Sequence, residues 1–365
     1  MPVHQFLPTL SPGDAIGNHV LRIRPLLEAF GPSRIYVERA DASLANVVTD
    51  YREYVPEPGS AVLYHASIGS PMARWLHALP ATVLLDYHNV TPMRFFAPYE
   101  PKVAALCFAG RAECRLLARS SPLSMADSTW SAHELSEMGC PATATVPILL
   151  DFSKYQQPPH RPLIEALAST KKGTDILFVG RISPNKRQED VVKAFALYRR
   201  HYDAEARLFL VGTSSSDRYR KAIVGLVRRL HLENAVSIVG GIPDSHLLAY
   251  YRAADVFLSM SEHEGFCVPL LESMLFDLPI VAYAAGAVPE TLGDAGILFR
   301  HKRYDEIAAL IHLLGDTATR ERLVKAGRAR VEHFRPERHE PRLLELVGEA
   351  LRGAAVSPNG HRLAR

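Results

Sequence analysis

Short apolar runs alternate with amphipathic segments along the first half of the chain. Each run has the length of a buried strand, and the segments between them carry apolar residues at helical spacing. The predicted strands are Val3–Leu7, Arg34–Glu38, Ala61–Tyr64, Thr82–Asp86, Leu123–Ala126 and Thr143–Val146, and the predicted helices are Asn18–Phe30, Pro71–Leu79, Lys102–Arg119 and Thr129–Met138. Alternation of this kind predicts an α/β fold with a parallel sheet covered on both faces.

The second half repeats the alternation. Its predicted strands are Asp175–Val179, Arg207–Val211, Val236–Val239, Asp255–Ser259 and Ile280–Tyr283, and its predicted helices are Gln188–His201, Asp217–His231, Ser245–Ala253 and Phe266–Phe276. Prolines at 147, 158, 159 and 162 indicate a linker between the halves. We therefore expect two Rossmann-like domains facing across a cleft. Residues 1–160 form the first, with the linker reaching to about 173, residues 174–330 form the second, and a helical segment over 331–365 can pack back on the first.

Length and composition place the chain among ordinary globular enzymes. Its 365 residues exceed what one hydrophobic core usually holds, and 47% apolar with 22% charged residues excludes a disordered chain. The net charge is only +3, and the cations are scattered apart from a basic tail containing Arg352, His361, Arg362 and Arg365. We expect no nucleic-acid partner.

Targeting signals and metal-ligand spacings are absent from the sequence pattern. Cys107, Cys114, Cys140 and Cys267 show no zinc-type spacing and are expected to be reduced core thiols. The first residues lack a basic segment followed by an apolar run, and no stretch approaches the roughly 20 apolar residues of a membrane span. We expect a cytoplasmic protein, at most peripheral to the inner face of the cytoplasmic membrane.

Two carboxylates, Glu264 and Glu272, lie eight residues apart across a Gly-Phe turn. Glu264 follows the predicted strand Asp255–Ser259, so it should lie at the sheet edge where parallel sheets bind ligands. Glu272 would follow two helical turns later on the same side. The alternative is that both are solvated helix charges.

A second loop at that edge carries cations. Gly180, Arg181 and Lys186 follow the strand Asp175–Val179, where a Rossmann-like domain meets phosphate. A glycine lets the backbone approach closely, and the two cations could neutralise a diphosphate. The loop is not a Walker A sequence, and no clear Asp-x-Asp metal motif accompanies it. Two solvated cations are the alternative.

The first half offers weaker candidates. Gly13 and Gly17 follow the first strand and could approach a ligand, or they could simply turn the chain before a helix capped by Asn18. His88 ends the strand Thr82–Asp86 at the expected cleft edge, and His65 ends the preceding strand. Each histidine could instead be a satisfied structural residue.

Several motifs resemble the donor-binding domain of retaining glycosyltransferases of family 4, within the group 1 glycosyl transferases, which have the GT-B fold. The resemblance covers residues 175–300. It rests on Val179-Gly180-Arg181 followed by Lys186, on Ser261 through Glu272, on Leu278-Pro279-Ile280-Val281 and on Gly286-Ala287-Val288-Pro289-Glu290, and His88 to Pro92 resembles a segment of a bacterial subgroup. Asp277 departs from the pattern, because family members usually carry glycine there.

The resemblance implies roles for these residues. Arg181 and Lys186 would hold the diphosphate, Glu264 and His88 would orient the donor sugar, and Glu272 would bind the ribose. The remaining donor-binding candidates are Gly17, Gly180, Gly265, Phe266, Cys267 and Val268, and the reaction-centre loop is Gly286, Ala287, Val288, Pro289 and Glu290. Backbone N–H groups near the start of the helix that carries Glu272 would suit an anionic or hydroxyl-rich ligand.

The expected function is retaining transfer of a sugar from a UDP- or GDP-linked donor, without a cofactor or an obligatory metal. The resemblance implies a saccharide or lipid-linked saccharide acceptor in bacterial surface polysaccharide synthesis. A nucleotide-sugar epimerase and a non-catalytic sugar-nucleotide-binding protein are the alternatives. Peripheral membrane attachment would run through Arg94-Phe95-Phe96 and the helix Lys102–Arg119, unless that helix simply packs into its own domain.

Overall fold

The computed structural model describes residues 1–140 and 143–356, so His361, Arg362 and Arg365 of the basic tail lie outside the described residues. The strands are β1 (Val3–Leu10), β2 (Ile35–Ala40), β3 (Thr49–Asp50), β4 (Ala61–Ala66), β5 (Thr82–Tyr87), β6 (Ser124–Ala126), β7 (Thr143–Thr145), β8 (Asp175–Val179), β9 (Arg207–Val211), β10 (Val236–Val239), β11 (Val256–Ser259), β12 (Ile280–Tyr283) and β13 (Ile297–Phe299). The helices are α1 (Ala15–Leu27), α2 (Pro71–Ala78), α3 (Pro101–Ala118), α4 (Thr129–Glu137), α5 (Arg161–Ser169), α6 (Gln188–His201), α7 (Asp217–Arg229), α8 (Asp244–Ala253), α9 (Val268–Leu275), α10 (Val288–Leu292), α11 (Tyr304–Leu313), α12 (Thr317–His333) and α13 (Pro336–Val356). Together they form an α/β protein with two parallel sheets, as the alternation predicts.

The chain divides into two compact units. Unit 1 comprises Met1–Met93, Lys102–Asp151 and the chain from Phe334 onward, and unit 2 comprises Arg94–Pro101 and Phe152–His333. Each unit contains one sheet. A short piece of the first half of the sequence therefore belongs to the compact body of the second sheet.

Unit 1 is built on seven parallel strands in the order β3-β2-β1-β4-β5-β6-β7. One face is covered by α13, whose Leu343 and Val347 join a buried cluster with Leu63, Leu84 and Met125. A second apolar cluster gathers residues of β1, α1 and β2. Burial on both faces explains why these strands read as nearly continuous apolar runs.

Unit 2 is built on six parallel strands in the order β10-β9-β8-β11-β12-β13. Its main cluster joins β8, β9 and β11 to the apolar faces of α6, α7 and α11. The segment Arg94–Pro101 packs on this unit: the Tyr99 and Tyr219 ring centroids lie 5.0 Å apart, and the Ser216 hydroxyl donates to Glu100 at 2.8 Å. Phe96 is buried. Of the segment Arg94-Phe95-Phe96, considered above as a membrane contact, Phe96 thus packs into its own protein while Arg94 is exposed, and membrane attachment remains a prediction.

The structure adds elements that periodicity missed. Helix α5 lies inside the predicted linker, where the His160 ring accepts the Leu163 N–H and a proline occupies the first turn, a position where proline favours helix formation. Strands β3 and β13 and helix α10 are too short to show a period. Helix α1 is capped by Asp14 rather than by Asn18. Among the described residues no helix combines the length and apolarity needed to cross a bilayer.

Candidate active site

The candidate residues of unit 2 lie on loops that leave one edge of its sheet. Strand β11 pairs in parallel with β8 on one side and with β12 on the other, so the carboxyl ends of all three strands lie at the same edge. The loop after β8 carries Lys186, the loop after β11 carries Glu264, and the loop after β12 carries Gly286. Parallel α/β sheets bind ligands at this edge.

Lys186 and Glu264 form an ion pair. The Lys186 Nζ lies 2.6 Å from both carboxylate oxygens of Glu264. The side chains are 17% and 7% exposed, respectively. A short, partly desolvated pair of this kind is stronger than a surface ion pair, and it fixes a cation and a carboxylate side by side at the sheet edge.

Backbone contacts hold the three loops together. The Glu262 N–H donates to the Asn185 carbonyl at 2.9 Å, and the Asn185 amide donates to the His263 carbonyl at 3.2 Å. Gly286 has φ +59°, and a Cβ there would lie 2.5 Å from the Glu264 carbonyl oxygen. Only glycine permits this approach. Gly286 was predicted from the sequence, but Asn185 was not. Its position as a polar residue in the predicted phosphate-binding loop could have indicated it.

The rest of the predicted reaction-centre loop is partly structural. Ala287 and Val288 are fully buried, and the Ala287 N–H donates to the Glu264 carbonyl at 3.0 Å. Pro289 and Glu290 continue into α10. The guanidinium of Arg330, on α12, donates to the Glu290 and Thr291 carbonyls. Arg330 thereby satisfies carbonyls at the end of α10, a role that the sequence does not reveal.

Glu272 lies in α9 and is enclosed by two tyrosines. The Tyr155 hydroxyl donates to one carboxylate oxygen at 2.7 Å, and the Tyr251 hydroxyl donates to the other at 2.6 Å. Burial, followed by the Glu272 charge, raises the pKa of Tyr251 well above its usual value, so Tyr251 remains a donor. Neither tyrosine was predicted, because residues distant in sequence supply them.

Helix α9 starts at a strained residue. Cys267 caps it with φ 72° and ψ 63°, a left-handed conformation that non-glycine residues rarely adopt. Burial, followed by the nearby Glu264 charge, raises the pKa of the Cys267 thiol well above its usual value. Phe266 and Val268 are also buried, and Gly265 lies between Glu264 and Phe266. The predicted ligand-binding turn is therefore held by its own buried side chains.

Arg181 differs from Lys186 in its surroundings. Its side chain is exposed, while its backbone carbonyl accepts the Gln188 amide at 2.9 Å. The preceding Gly180 has φ +147°, and a Cβ on Gly212 would lie 2.2 Å from the Gly180 carbonyl. The loop backbone is thus fixed by close packing, and Arg181 projects from it into solvent.

A charged network beside the site was not predicted. Lys302 Nζ lies 2.6 Å from Glu262 and 2.8 Å from Asp190, and the Tyr304 hydroxyl donates to Asp190 at 2.8 Å. Burial opposes ionisation of Asp190, but the hydrogen bonds and charge of Lys302 outweigh it and hold the Asp190 pKa below its usual value. The network ties the start of α6 to the loop that carries Glu264.

Asp277 adopts the conformation of the glycine that the family pattern leads us to expect. Its φ is +54°, its N–H donates to the Met274 carbonyl at 3.2 Å, and the Leu278 N–H donates to the Ser273 carbonyl at 2.9 Å. These are the two hydrogen bonds of a Schellman helix end. Exposed Arg328 pairs with the Asp277 carboxylate. Asp277 therefore forms the left-handed helix end for which glycine is usually required.

In unit 1, Gly17 serves the start of α1. Its N–H donates to Asp14 at 3.2 Å, and a Cβ would lie 3.0 Å from the Leu10 side chain. Among the described residues, these contacts give Gly17 a structural role. The ligand contact predicted for Gly17 remains a prediction.

His88 is fully enclosed in unit 1. Its Nδ1 lies 2.9 Å from Asp127, and its Nε2 lies 2.9 Å from His65 Nδ1 and 3.4 Å from Asp86. Burial alone would lower the His88 pKa, but the Asp127 and Asp86 carboxylates outweigh it and raise that pKa to about 9. Burial lowers the pKa of His65 to about 4. Both nitrogens of His88 thus have partners inside unit 1, and its proposed contact with a donor sugar remains a prediction.

Comparison with known proteins finds a family match within the second unit. Residues 161–330 match the family model described as glycosyl transferases group 1. The O-antigen chain mannosyltransferase B of Escherichia coli is 30% identical over 159 residues, covering 43% of this chain and 41% of that protein. The D-inositol 3-phosphate glycosyltransferase of Segniliparus rotundus is 32% identical over 213 residues, covering 54% of this chain and 46% of that protein. The chain thus spans less than half the length of either relative.

Solved structures share the fold over nearly the whole chain. Sucrose-phosphate synthase from Thermosynechococcus elongatus superimposes with a TM-score of 0.76 at 19% identity, covering 97% of this chain and 100% of that one. The Anabaena protein HepE, solved in complex with UDP and glucose, gives a TM-score of 0.70 at 18% identity, covering 95% and 99% of the two chains. These matches show that the chain has the GT-B fold and that residues 161–330 of unit 2 are similar to the group 1 glycosyl transferases.

Proposed function

We propose that the protein transfers a sugar from a nucleoside-diphosphate sugar to a hydroxyl acceptor, with retention at the anomeric carbon. The observation that carries this proposal is the Lys186–Glu264 ion pair, held at the sheet edge of unit 2 against the backbone of Gly286. It sets a cation that can bind phosphate beside a carboxylate that can accept sugar hydroxyls. The family match of residues 161–330 and the UDP complex of the similar protein HepE support a nucleotide-sugar donor.

Lys186 and Arg181 would stabilise the leaving diphosphate. The Lys186 ammonium has three N–H donors, so it can bind a phosphate oxygen while keeping a contact with Glu264. In the reaction, the bond between the anomeric carbon and the diphosphate oxygen breaks and a bond to the acceptor oxygen forms. The departing phosphate takes the acceptor's proton. The negative charge on the leaving oxygen grows toward the transition state, where these cations would act.

Glu264 and Glu272 would bind the two ends of the donor. Glu264 would accept hydroxyl groups of the sugar, and Glu272 would accept the ribose hydroxyls. Each carboxylate oxygen can accept more than one hydrogen bond. Glu272 can therefore keep the contacts with Tyr155 and Tyr251, which orient it, and still accept the ribose.

The test is an assay of the full chain against a panel of UDP- and GDP-linked sugars, with and without saccharide acceptors. We expect nucleoside diphosphate release that depends on acceptor, and an NMR spectrum of the product that shows the donor's anomeric configuration. Donor conversion to an isomeric nucleotide sugar without acceptor would indicate an epimerase instead. Tight donor binding with no turnover across the panel would indicate a sugar-nucleotide-binding protein.

We propose a saccharide or lipid-linked saccharide acceptor in surface polysaccharide synthesis, in line with the name of the E. coli relative, an O-antigen chain mannosyltransferase. A lipid-linked acceptor would bring the protein to a membrane surface, and helix α3 offers one contact. Its Phe108 and Leu106 are 65% and 37% exposed, and Lys102 and Arg115 are exposed on the same helix. Apolar and basic side chains together favour an anionic bilayer surface.

Co-sedimentation with anionic and neutral liposomes tests the membrane proposal. We expect binding to anionic liposomes that falls with salt and with Phe108→Glu. Tyr202→Glu is the matched control, because Tyr202 is a 40% exposed aromatic residue of unit 2. Equal binding of both variants would remove α3 from the membrane contact, and no binding at low salt would point to a soluble acceptor.

A further inference from the structure

Four buried side chains of unit 1 direct ligand atoms at one another. They are His19 on α1, His65 on β4, and Asp86 and His88 at the end of β5, and their facing atoms all lie within 4.8 Å of one another. None of the four side chains is more than 4% exposed. Burying three imidazoles and a carboxylate is costly unless each polar atom has a partner of the right polarity.

The outer nitrogens of His65 and His88 fix where their protons lie. His65 Nε2 is 3.0 Å from the Gln5 side-chain oxygen, whose orientation is set because the Gln5 amide donates to the Val20 carbonyl. His88 Nδ1 is 2.9 Å from an Asp127 oxygen. Both partners are acceptors, so both outer nitrogens carry hydrogen. The inner nitrogens, His65 Nδ1 and His88 Nε2, then carry lone pairs when the rings are neutral.

These two inner nitrogens lie only 2.9 Å apart. Two lone pairs at this separation repel, so a cation must lie between them, either a proton or a metal ion. Asp86 Oδ2 completes a triangle at 3.3 Å from His65 Nδ1 and 3.4 Å from His88 Nε2. A carboxylate at this position supplies the negative charge that a cation requires.

Two edges of the triangle, those to Asp86, have the length of an edge of a metal tetrahedron. Zinc binds imidazole nitrogen and carboxylate oxygen at about 2.0–2.2 Å, which places neighbouring ligand atoms about 3.3–3.5 Å apart. The two distances to Asp86 match that edge and are long for N–H···O hydrogen bonds. The distance between the nitrogens is shorter by a few tenths of an ångström.

His19 has a different function in the cluster. The Leu149 N–H donates to His19 Nδ1 at 3.0 Å, so neutral His19 holds its proton on Nε2, which faces Asp86 at 3.3 Å. It can therefore donate to the carboxylate but cannot bind a metal through that nitrogen. Each candidate ligand thus has one supporting partner: Gln5 for His65, Asp127 for His88 and His19 for Asp86. Supporting hydrogen bonds of this kind orient metal ligands in proteins.

We infer that unit 1 binds one divalent transition-metal ion, with zinc as the best fit, through His65 Nδ1, His88 Nε2 and Asp86 Oδ2. Imidazole and carboxylate donors in a compact geometry suit zinc. Because the site is enclosed, the ion would enter as the chain folds, and it would stabilise unit 1.

The primary test is the metal content of the full chain, purified without chelators or a histidine tag. We expect about one zinc ion per chain by mass spectrometry, retained through brief EDTA treatment. Protein produced in cobalt-supplemented medium should show the intense visible absorption of tetrahedral Co²⁺ bound to nitrogen and oxygen. Absence of stoichiometric zinc, together with no uptake on refolding with zinc, would overturn the inference and leave a proton between the two rings.

Variants assign the ligands. His65→Gln retains a group that can donate to Gln5 but lacks the inner nitrogen, and His88→Asn retains a donor to Asp127 in the same way. Both should lose the metal, whereas His19→Asn should keep it with affinity reduced about 10–100-fold. His4→Asn is the matched control, since His4 is a buried histidine of β1 outside the cluster, and it should keep full stoichiometry. Unchanged zinc content in His65→Gln and His88→Asn would contradict the assignment, and if neither variant folds, the cobalt spectrum of the unaltered chain decides.

Discussion

Replacing Lys186 by methionine should separate the catalytic role of the Lys186–Glu264 pair from its structural role. Methionine keeps most of the side-chain volume and removes the charge. Glu264, which is 7% exposed, then loses the cation that lies 2.6 Å from both of its oxygens. The variant should therefore change both the stability of the protein and the rate of sugar transfer.

The size of the stability change follows from the burial of the pair. Exposed ion pairs contribute about 0–1 kcal/mol, and removing one partner of a fully buried pair costs about 3–5 kcal/mol. The Lys186 side chain is 17% exposed, which places it between these limits. We expect Lys186→Met to lower the free energy of unfolding by about 2 kcal/mol. The double variant Lys186→Met/Glu264→Gln should recover most of that loss, because no charge then remains unpaired.

The rate should behave differently. Lys186→Met should slow the chemical step about 100-fold, equivalent to about 2.7 kcal/mol of transition-state stabilisation, and saturating donor should not restore it. The double variant should be no faster. Denaturant unfolding and single-turnover kinetics provide the two readouts. Lys171→Met is the matched control, because Lys171 pairs with Asp255 at 2.7 Å at the opposite end of strands β8 and β11, and it should leave the rate unchanged.

Two outcomes would refute this reasoning. If the double variant regains the rate as well as the stability, Lys186 only neutralises Glu264 and does not act on the diphosphate. If Lys186→Met loses rate only at low donor concentration, the cation contributes to substrate capture and not to the transition state.

Three further predictions concern the same unit. Glu272→Ala should weaken binding of the nucleoside diphosphate by about 1–3 kcal/mol in calorimetry on a folded variant, and unchanged affinity would remove Glu272 from the ribose site. Asp277→Ala should be about 1 kcal/mol less stable than Asp277→Gly in urea, because only glycine adopts the left-handed helix end without strain; equal stabilities would show that this conformation costs nothing. Transfer should proceed without added Mg²⁺ or Mn²⁺ and survive brief EDTA treatment, and loss of activity that either ion restores would place the donor chemistry in a metal-dependent class.

Much of unit 2 could be predicted from the sequence because its signals are local. An apolar run, a glycine and a charged residue within a few positions define a strand end, and parallel pairing then brings successive strand ends to one edge. Lys186, Glu264 and Gly286 meet for that reason. The contacts of Glu272 could not be predicted in the same way, because its tyrosine partners come from segments 117 and 21 residues away and carry no local signal.

The cluster of His19, His65, Asp86 and His88 in unit 1 also could not be predicted from local sequence signals. His65 and His88 were identified one at a time as residues that end strands, and each had a structural alternative. What sequence could not supply is the register that places β4 beside β5, with His65 opposite Asp86, and the helix that brings His19 to them. A search that relies on short ligand spacings cannot detect a set that combines His65 of β4 with Asp86 and His88 at the end of β5.

Helix α9, which carries Glu272, has a residue with strained backbone at each end. It begins at Cys267 and is followed by Asp277, and both residues have positive φ although neither is glycine. Each left-handed residue costs on the order of 1 kcal/mol, and such strain persists only where the surrounding structure fixes it. At Cys267 the buried turn beside Glu264 supplies that constraint. At Asp277 the Schellman hydrogen bonds supply it. The helix that carries Glu272 is therefore bounded by two residues in conformations that they disfavour, one imposed by the buried turn beside Glu264 and the other by the hydrogen bonds of the helix end.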